Sequence, residues 1–244
     1  MHMSSAKSIH TSRTIMFAEL SRIMFHGISN NSFEKSFSDN VAGKLSKSNQ
    51  GKTNRYLKQL YGFDISDPFF NSFIYFWKNA IESQHALISL LLAIRNDYLL
   101  SESIDLIINT PIGQKLKVES LENIIESHHP NRFSPATLKS VAQNLASSWK
   151  QAGFIFGKVK NIRVQPEINY RTVAYALMIG YLEGLRGEYL MGSKYIRALG
   201  LTETKIRELI AEAAKRDILQ YQHAGHVTAI MFPNLLKSIG IHGE

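Results

Sequence analysis

Two short segments of alternating residues interrupt a chain whose apolar residues otherwise recur at helical spacing. FIFGKVKNIRVQP, at residues 154–166, and ILQYQHAGHVTAIMF, at residues 218–232, each have turn residues at the centre, which is typical of a two-stranded β-hairpin. Each follows a helix-patterned stretch, and a helix followed by a hairpin is the order of the last two pieces of a winged helix. We therefore predict a mainly α, multi-helix protein with one or two winged-helix-like units and short β-hairpins.

Capping residues predict where several helices begin and end. Asp67 and Ser134 each precede a proline, and Thr202 precedes another apolar-periodic stretch. Side chains of these types accept hydrogen bonds from the free N–H groups of a first helical turn, where proline is also tolerated. Gly27 and Gly153 follow the last apolar residue of their stretches, which is a common signal for a helix end.

Charge is segregated along the chain, whose formal net charge is +8. Residues 1–63 hold nine Lys and Arg against three acids, and residues 132–171 hold seven against one. Residues 64–131 hold four against nine, and residues 172–244 hold eight against seven. Basic blocks on either side of an acidic block are typical of a surface that binds a polyanion, although a solvated basic face has the same composition.

The same shifts in composition predict two domains. An N-terminal helical domain, residues 1–131, would combine a basic helix-turn-helix-like part at 1–63 with an acidic helical bundle at 64–131. The C-terminal domain, residues 132–244, would hold the winged-helix-like units. Three short helices in the first block, two of them closed by glycine, indicate the helix-turn-helix-like part.

Composition excludes several classes of site and predicts a location. The absence of cysteine excludes disulfides, thiolate zinc sites and cysteine nucleophiles. The longest apolar runs, HALISLLLAI and VAYALMIGYL, are about half of the roughly 20 residues that a membrane span needs. The first residues, MHMSSAKSIHTSR, lack the apolar centre of a secretory signal. We expect a cytoplasmic protein without a membrane partner.

The helix predicted at residues 134–151 has an unusual polar face. Its apolar residues fall on one side, and its other side carries uncharged polar residues without any acid, followed by a basic hairpin. Such side chains hydrogen-bond base edges and phosphates, and lysine and arginine attract phosphate regardless of sequence. The candidate DNA-binding residues here are Lys139, Ser140, Gln143, Asn144, Ser147, Lys150, Lys158, Lys160 and Arg163. The alternative is that the small polar residues pack against a neighbouring helix.

A second candidate surface is the basic run GKLSKSNQGKTNRYLK at residues 43–58. Its GKT resembles the end of a phosphate-binding loop, but Ser46 stands where that motif needs its first glycine, and no strand precedes it. We interpret the run as polyanion-facing or merely solvated. Its candidate DNA-binding residues are Lys44, Lys47, Lys52, Arg55 and Lys58.

No set of residues predicts a reaction, a metal or a cofactor. The histidine pairs His128–His129 and His223–His226 lack carboxylate partners at ligand spacing, and zinc needs three or four ligands. No catalytic serine motif or dinucleotide loop is present. We expect a protein that is not an enzyme. A weaker alternative is a nuclease or nucleotide enzyme whose residues this pattern does not reveal.

The second helix–hairpin pair has a different charge pattern. The helix predicted after Thr202 carries Glu203, Glu208 and Glu212, and acids on a groove-facing surface would repel phosphate. Its charges are spaced like the ion pairs of a structural helix. We expect this unit to meet a protein instead of DNA.

The stretch SPATLKSVAQNL followed by QAGFI, within residues 130–160, resembles the BrxA-type accessory proteins of BREX phage-defence systems. The resemblance implies a non-enzymatic helper that binds double-stranded DNA beside other subunits of a defence complex. The alternative is an interaction scaffold or subunit of such a complex that does not read DNA itself.

Overall fold

The computed structural model describes residues 8–225 and 227–240 and confirms a mainly helical protein with two short antiparallel two-stranded sheets. No helix in these residues combines the length and the apolar character needed to cross a membrane. The described helices are α1 Phe17–Ser29, α2 Phe33–Ser38, α3 Lys47–Tyr61, α4 Pro68–Asn79, α5 Glu82–Asn96, α6 Tyr98–Glu102, α7 Ile104–Asn109, α8 Val118–His128, α9 Pro135–Gln151, α10 Tyr170–Leu182, α11 Glu188–Met191, α12 Lys194–Arg197, α13 Glu203–Lys215 and α14 Pro233–Ser238. The strands are β1 Ile155–Phe156, β2 Ile162–Arg163, β3 Gln220–Ala224 and β4 Val227–Met231.

The chain divides into two compact units that are each discontinuous in sequence. Unit 1 is the chain through Gly62 together with Ala93–Gln165, and unit 2 is Phe63–Leu92 together with the chain from Pro166 onward. Helix α5 contributes its last residues to unit 1 and the rest to unit 2. The sequence predicted a single boundary between residues 131 and 132, which lies inside unit 1. Composition along the chain follows neighbours in sequence, whereas these units are set by contacts between distant segments.

The predicted N-terminal caps are present at all three positions. The Asp67 side chain accepts from the Phe69 N–H, Ser134 from the Thr137 N–H and Thr202 from the Lys205 N–H. Each hydrogen bond satisfies a donor that a first helical turn leaves free. The caps therefore fix where α4, α9 and α13 begin.

In unit 1, a short extended segment adds a third chain to the first hairpin. Strands β1 and β2 are antiparallel, with Ile155 opposite Arg163, and Lys115 forms a further antiparallel bridge to Ile162. The backbone N–H of Arg163 donates to the Gln114 carbonyl at 2.8 Å. The order in this part of unit 1 is therefore helix α7, the bridging residue, helices α8 and α9, and the hairpin.

The core beneath α9 is built around Trp149. Its side chain is fully buried, as the apolar spacing predicted, and its ring lies edge-on to Phe154, with centroids 5.0 Å apart. The indole N–H donates to the Ser103 hydroxyl at 2.8 Å, so the one polar atom of the ring is satisfied. Val141 and Leu145 are also fully buried. The apolar face of α9 therefore holds the helix in unit 1.

Unit 2 is organised around α10, whose residues from Thr172 to Gly180 are buried on every side. Tyr175 packs against Phe73 and Phe76, with ring centroids 6.1 and 5.0 Å away. The Thr172 hydroxyl donates to the buried Gln84 side chain at 2.6 Å. Helices α11, α12 and α13 and the β3–β4 hairpin follow, so this unit too contains a helix followed directly by a hairpin, and the short helix α14 comes after it.

Candidate nucleic-acid interface

The exposed face of α9 carries only part of the predicted polar set. Lys139, Ser140 and Gln143 are exposed, and Ser147 and Lys150 are half-buried. Lys139 and Ser140 are adjacent, and from Ser140 onward the positions are three, four and three residues apart, so the set shares one side of the helix. No acidic residue lies between Glu126 and Glu167 in the sequence. The segment that forms this face therefore combines hydrogen-bonding groups and lysines without a carboxylate of its own.

Asn144, a member of the predicted set, and the neighbouring Gln151 contact the N-terminal segment instead of pointing outward. The half-buried Asn144 amide donates to the His10 carbonyl at 2.9 Å, and the Phe17 N–H donates to the Gln151 side chain at 3.0 Å. These contacts attach residues 8–17 to the side of α9. We therefore correct the prediction that Asn144 contacts DNA, because its side chain positions the N-terminal segment instead. The sequence does not show the contact because its partners lie more than a hundred residues away.

The first hairpin presents lysines and apolar residues at its surface. Lys158 and Lys160 are exposed, as are Phe156 and Val159, whose side chains are 71% and 81% accessible. The Lys150 ammonium group approaches the Lys158 carbonyl at 3.4 Å, which joins the end of α9 to the hairpin. The hairpin therefore continues the lysine-bearing surface of α9.

Arg163 is a correction, because the structure buries the residue that was predicted to follow a DNA backbone. Only 2% of Arg163 is accessible, and its guanidinium donates to the Ile107 carbonyl at 2.9 Å, to Val164 and to the Gln165 side chain. The same group lies over the Phe154 ring, and burial lowers the pKa of Arg163. A side chain that is buried and donates to three protein acceptors positions the hairpin and is not at the surface to bind phosphate.

The second predicted basic surface lies along α3. Lys47, Lys52, Arg55 and Lys58 are exposed on this helix, which contains no acidic residue. Lys44, which precedes the helix, instead pairs with Glu19 at 2.5 Å, and both side chains are largely covered. We therefore remove Lys44 from the polyanion surface and keep the four residues of α3.

A row of Ser148, His10 and Asp97 lies inside unit 1 and was not expected from the sequence. The His10 ring has Nε2 at 2.9 Å from the Ser148 hydroxyl and Nδ1 at 3.0 Å from the Asp97 carboxylate. All three residues are at least 99% buried. The Ser148 hydroxyl also lies 2.9 Å from the Asn144 carbonyl and accepts from the Ile15 N–H. The row is buried and ties the N-terminal segment to α9.

The other titratable residues form local contacts. His129 and His128 lie 2.9 and 3.4 Å from the Glu102 carboxylate, which the sequence did not reveal. Within the described residues no group of three or more His, Asp or Glu side chains could hold a metal ion. His226, named with His223 in the sequence analysis, lies outside the described residues.

Most of the exposed charges of α13 and of Arg216, the residue after it, are paired with one another. Lys205 lies 2.9 Å from Glu208, Arg207 lies 2.8 Å from Glu203, and Arg216 lies 3.2 Å from Glu212. Hydrogen bonds with Tyr221 and Glu203 raise the pKa of Arg207, which keeps its charge fixed. The predicted pattern of a structural helix is therefore present, with each of these cations next to a carboxylate.

No protein-family model, curated protein or solved structure matches the chain. The resemblance to BrxA-type accessory proteins therefore stays a prediction.

Proposed function

We propose that the protein is a non-enzymatic, double-stranded DNA-binding accessory protein that acts in the cytoplasm and contacts the duplex through α9 and the β1–β2 hairpin. The observation that carries the proposal is that Lys139, Ser140 and Gln143, which are exposed, continue into the exposed Lys158 and Lys160 within a segment that contains no acidic residue. Lysines supply the attraction to phosphate, and the uncharged polar groups of a helix reach base edges in the major groove.

The order of elements in unit 1 supports this use of α9. Helix α7, the bridge at Lys115, helices α8 and α9, and the two-stranded hairpin follow the order of a winged helix. In DNA-binding helix-turn-helix proteins the last helix of the motif enters the major groove. Here that helix is α9, and the hairpin joined to its end would follow the adjacent backbone.

The biological setting follows from the resemblance of residues 130–160 to BrxA-type proteins. It places the protein among the subunits of a BREX-like phage-defence system, where a DNA-binding helper would bring the complex to its substrate. A protein-interaction scaffold is the second candidate. The exposed Tyr189, Val227 and Met231 of unit 2 favour that candidate, because exposed apolar groups are suited to a protein partner.

A salt series with unrelated duplexes tests the proposal. Fluorescence anisotropy should show an affinity that falls by orders of magnitude between about 50 and 200 mM salt, because phosphate contacts release counterions. Lys158→Glu combined with Lys160→Glu should abolish binding without lowering the melting temperature, since both side chains are exposed.

The matched control is Lys205→Glu with Lys215→Glu on α13, which changes the net charge by the same amount. It should weaken binding far less than the hairpin pair. Equal losses in the two variants would show that only net charge matters. Binding that survives the hairpin reversal would remove the hairpin from the interface.

A further inference from the structure

A cavity of about 210 Å³ lies between the N-terminal segment and α3 in unit 1. Its polar lining includes Thr11 and Ser12 from the segment and Arg55, Tyr56 and Gln59 from the helix. A volume of this size accommodates a small polar group together with some of its water. The cavity is separate from the exposed face of α9.

Two guanidinium groups lie near the ring of Tyr56, which lines this cavity together with Arg55, whereas Arg13 follows the lining residue Ser12. The central guanidinium carbons of Arg13 and Arg55 lie 5.7 and 5.0 Å from the centre of the Tyr56 ring. Neither group forms an ion pair with any carboxylate of the described chain. Hydrogen bonds from Ser12 and Arg55, with the charges of both arginines, lower the pKa of the Tyr56 phenol. The site therefore places two cationic groups, neither of them ion-paired with a carboxylate of the described residues, beside the hydroxyls that line the cavity.

Asp97, which contacts the cavity residues Ser8 and Ile9, has its oxygens occupied by other groups and forms no ion pair with either arginine within the described residues. Asp97 accepts hydrogen bonds from the Ser8 hydroxyl at 2.7 Å and from the Ile9 N–H at 2.7 Å, and it pairs with His10. It is also almost completely buried. The carboxylate is thus directed into the core and away from solvent.

The N-terminal segment is held on both sides of Arg13. The His10 carbonyl accepts from Asn144, and the Ile15 carbonyl accepts from the Tyr61 hydroxyl at 2.6 Å. The Gln151 amide donates to the Thr14 hydroxyl at 3.0 Å. These contacts fix the backbone on either side of Arg13, so the arginine pair needs little ordering to bind an anion.

We propose that this cavity binds a phosphate group through the guanidiniums of Arg13 and Arg55 and the hydroxyls that line it. Paired guanidiniums and hydroxyl donors match the oxygens of a phosphate. The phosphate belongs either to a DNA backbone or to a free phosphate ester. The inference does not depend on the duplex surface of α9, because its first test uses no DNA.

Titration with inorganic phosphate at constant ionic strength, followed by isothermal calorimetry and phosphorus NMR, tests the cavity. Arg13→Gln with Arg55→Gln should raise the dissociation constant by about tenfold or more, because two charge-assisted contacts are lost. Lys47→Gln with Lys58→Gln removes the same charge from other positions of the basic surface. This variant should keep the dissociation constant for phosphate within about twofold of the wild-type value. Circular dichroism checks that these exposed substitutions leave the fold intact.

Two results would overturn the inference: phosphate binding no stronger than chloride, or equal weakening in both double variants. The second would show an unspecific basic surface. Tyr56→Phe gives a further check, since it keeps the ring and removes only the hydroxyl beside the site. Its phosphate affinity should stay closer to that of the wild type than to that of the arginine variant.

A second arm identifies the source of the phosphate. If the group belongs to DNA, inorganic phosphate competes with the duplex, and Arg55→Gln lowers the salt slope of duplex binding by about one unit. If the group belongs to a free ester, phosphate binds equally well to the duplex-loaded protein and Arg55→Gln leaves duplex affinity unchanged. If the protein binds phosphate but no duplex, the DNA binding proposed for α9 is refuted, whereas phosphate binding in the cavity is still supported.

Discussion

Unit 1 and unit 2 each contain a capped helix followed by a β-hairpin, yet the two pairs differ in how they carry charge. In unit 1, α9 and its hairpin hold lysines and uncharged polar groups without any acid. In unit 2, α13 holds cations and carboxylates three and four residues apart, and they pair with each other. The same order of elements therefore presents an open positive surface in one unit and an internally balanced one in the other.

The difference shows that the order of elements does not determine what a helix–hairpin pair binds. Exposed ion pairs on a helix contribute only a few tenths of a kcal/mol each, so the pairing on α13 adds little stability. Its main effect is that a polyanion meets carboxylates beside every paired cation. The lysines of α9 have no such competitor, because the helix contains no Asp or Glu.

The largest expected effect comes from Trp149, the buried aromatic residue on the apolar face of α9. Trp149→Ala should destabilise unit 1 by about 3–5 kcal/mol, since it empties a fully buried aromatic site and leaves Ser103 without its donor. The matched change in unit 2 is Ile210→Ala, also fully buried, which should cost about 2–5 kcal/mol. Chemical denaturation followed by tryptophan fluorescence and circular dichroism measures both. A well-folded Trp149→Ala protein with impaired DNA binding would show that the orientation assigned to α9 is wrong.

A comparable effect is expected at Asp97, which holds the segment bordering α9. Burial alone would raise the pKa of Asp97, but the charge of His10 and hydrogen bonds from His10, Ser8 and the Leu100 N–H outweigh it and hold the pKa at about 2. The folded protein thus releases this proton more readily than the unfolded chain, whose ordinary value is 3.8. The carboxylate therefore stabilises the fold fully above about pH 4, and its contribution is lost as the pH falls towards 2.

Denaturation midpoints measured from about pH 2 to pH 7 check this effect. Asp97→Asn should lose about 3–5 kcal/mol at neutral pH, because it leaves His10 buried without its partner. It should also lose part of the acid dependence of the wild type. Asp64→Asn is the matched control at an exposed carboxylate and should leave neutral-pH stability nearly unchanged. An acid dependence that Asp97→Asn leaves intact would contradict the assignment.

Local sequence signals predicted the helices and hairpins well, but they did not predict contacts between segments that are distant in the sequence. The caps at Ser134 and Thr202 and the burial of Trp149 follow from neighbours within a few residues, where helix periodicity applies. The burial of Arg163 depends on the Ile107 carbonyl, and the contact of Asn144 depends on His10. In a sequence, a polar residue beside an apolar stripe looks the same whether its side chain faces water or another segment. The sequence therefore could not predict that Gln143 is exposed while Asn144 contacts the N-terminal segment.

That pair gives the next prediction, because adjacent residues on α9 now have different roles. Gln143→Ala should leave the melting temperature unchanged and weaken duplex binding by about 1–3 kcal/mol if the side chain reads a base. Asn144→Ala should lower the free energy of unfolding by about 0.5–1.5 kcal/mol, since it removes the hydrogen bond to His10. Thermal denaturation and anisotropy separate the two outcomes. A large loss of stability in Gln143→Ala would mean that this face is not free to meet DNA.

The smallest effect is expected for the acidic residues of α13, which test whether this helix differs from α9 in contacting DNA. Glu208→Gln with Glu212→Gln removes two carboxylates from exposed ion pairs and should change the free energy of unfolding by less than about 1 kcal/mol. Duplex affinity, measured by anisotropy at physiological salt, should rise only slightly, because the helix does not contact DNA in the proposed arrangement. If the variant instead binds duplex about tenfold more tightly with a steeper salt slope, the freed cations of α13 contact phosphate. The pairing would then be what keeps unit 2 from binding DNA, and the reading role assigned to α9 would be shared with α13.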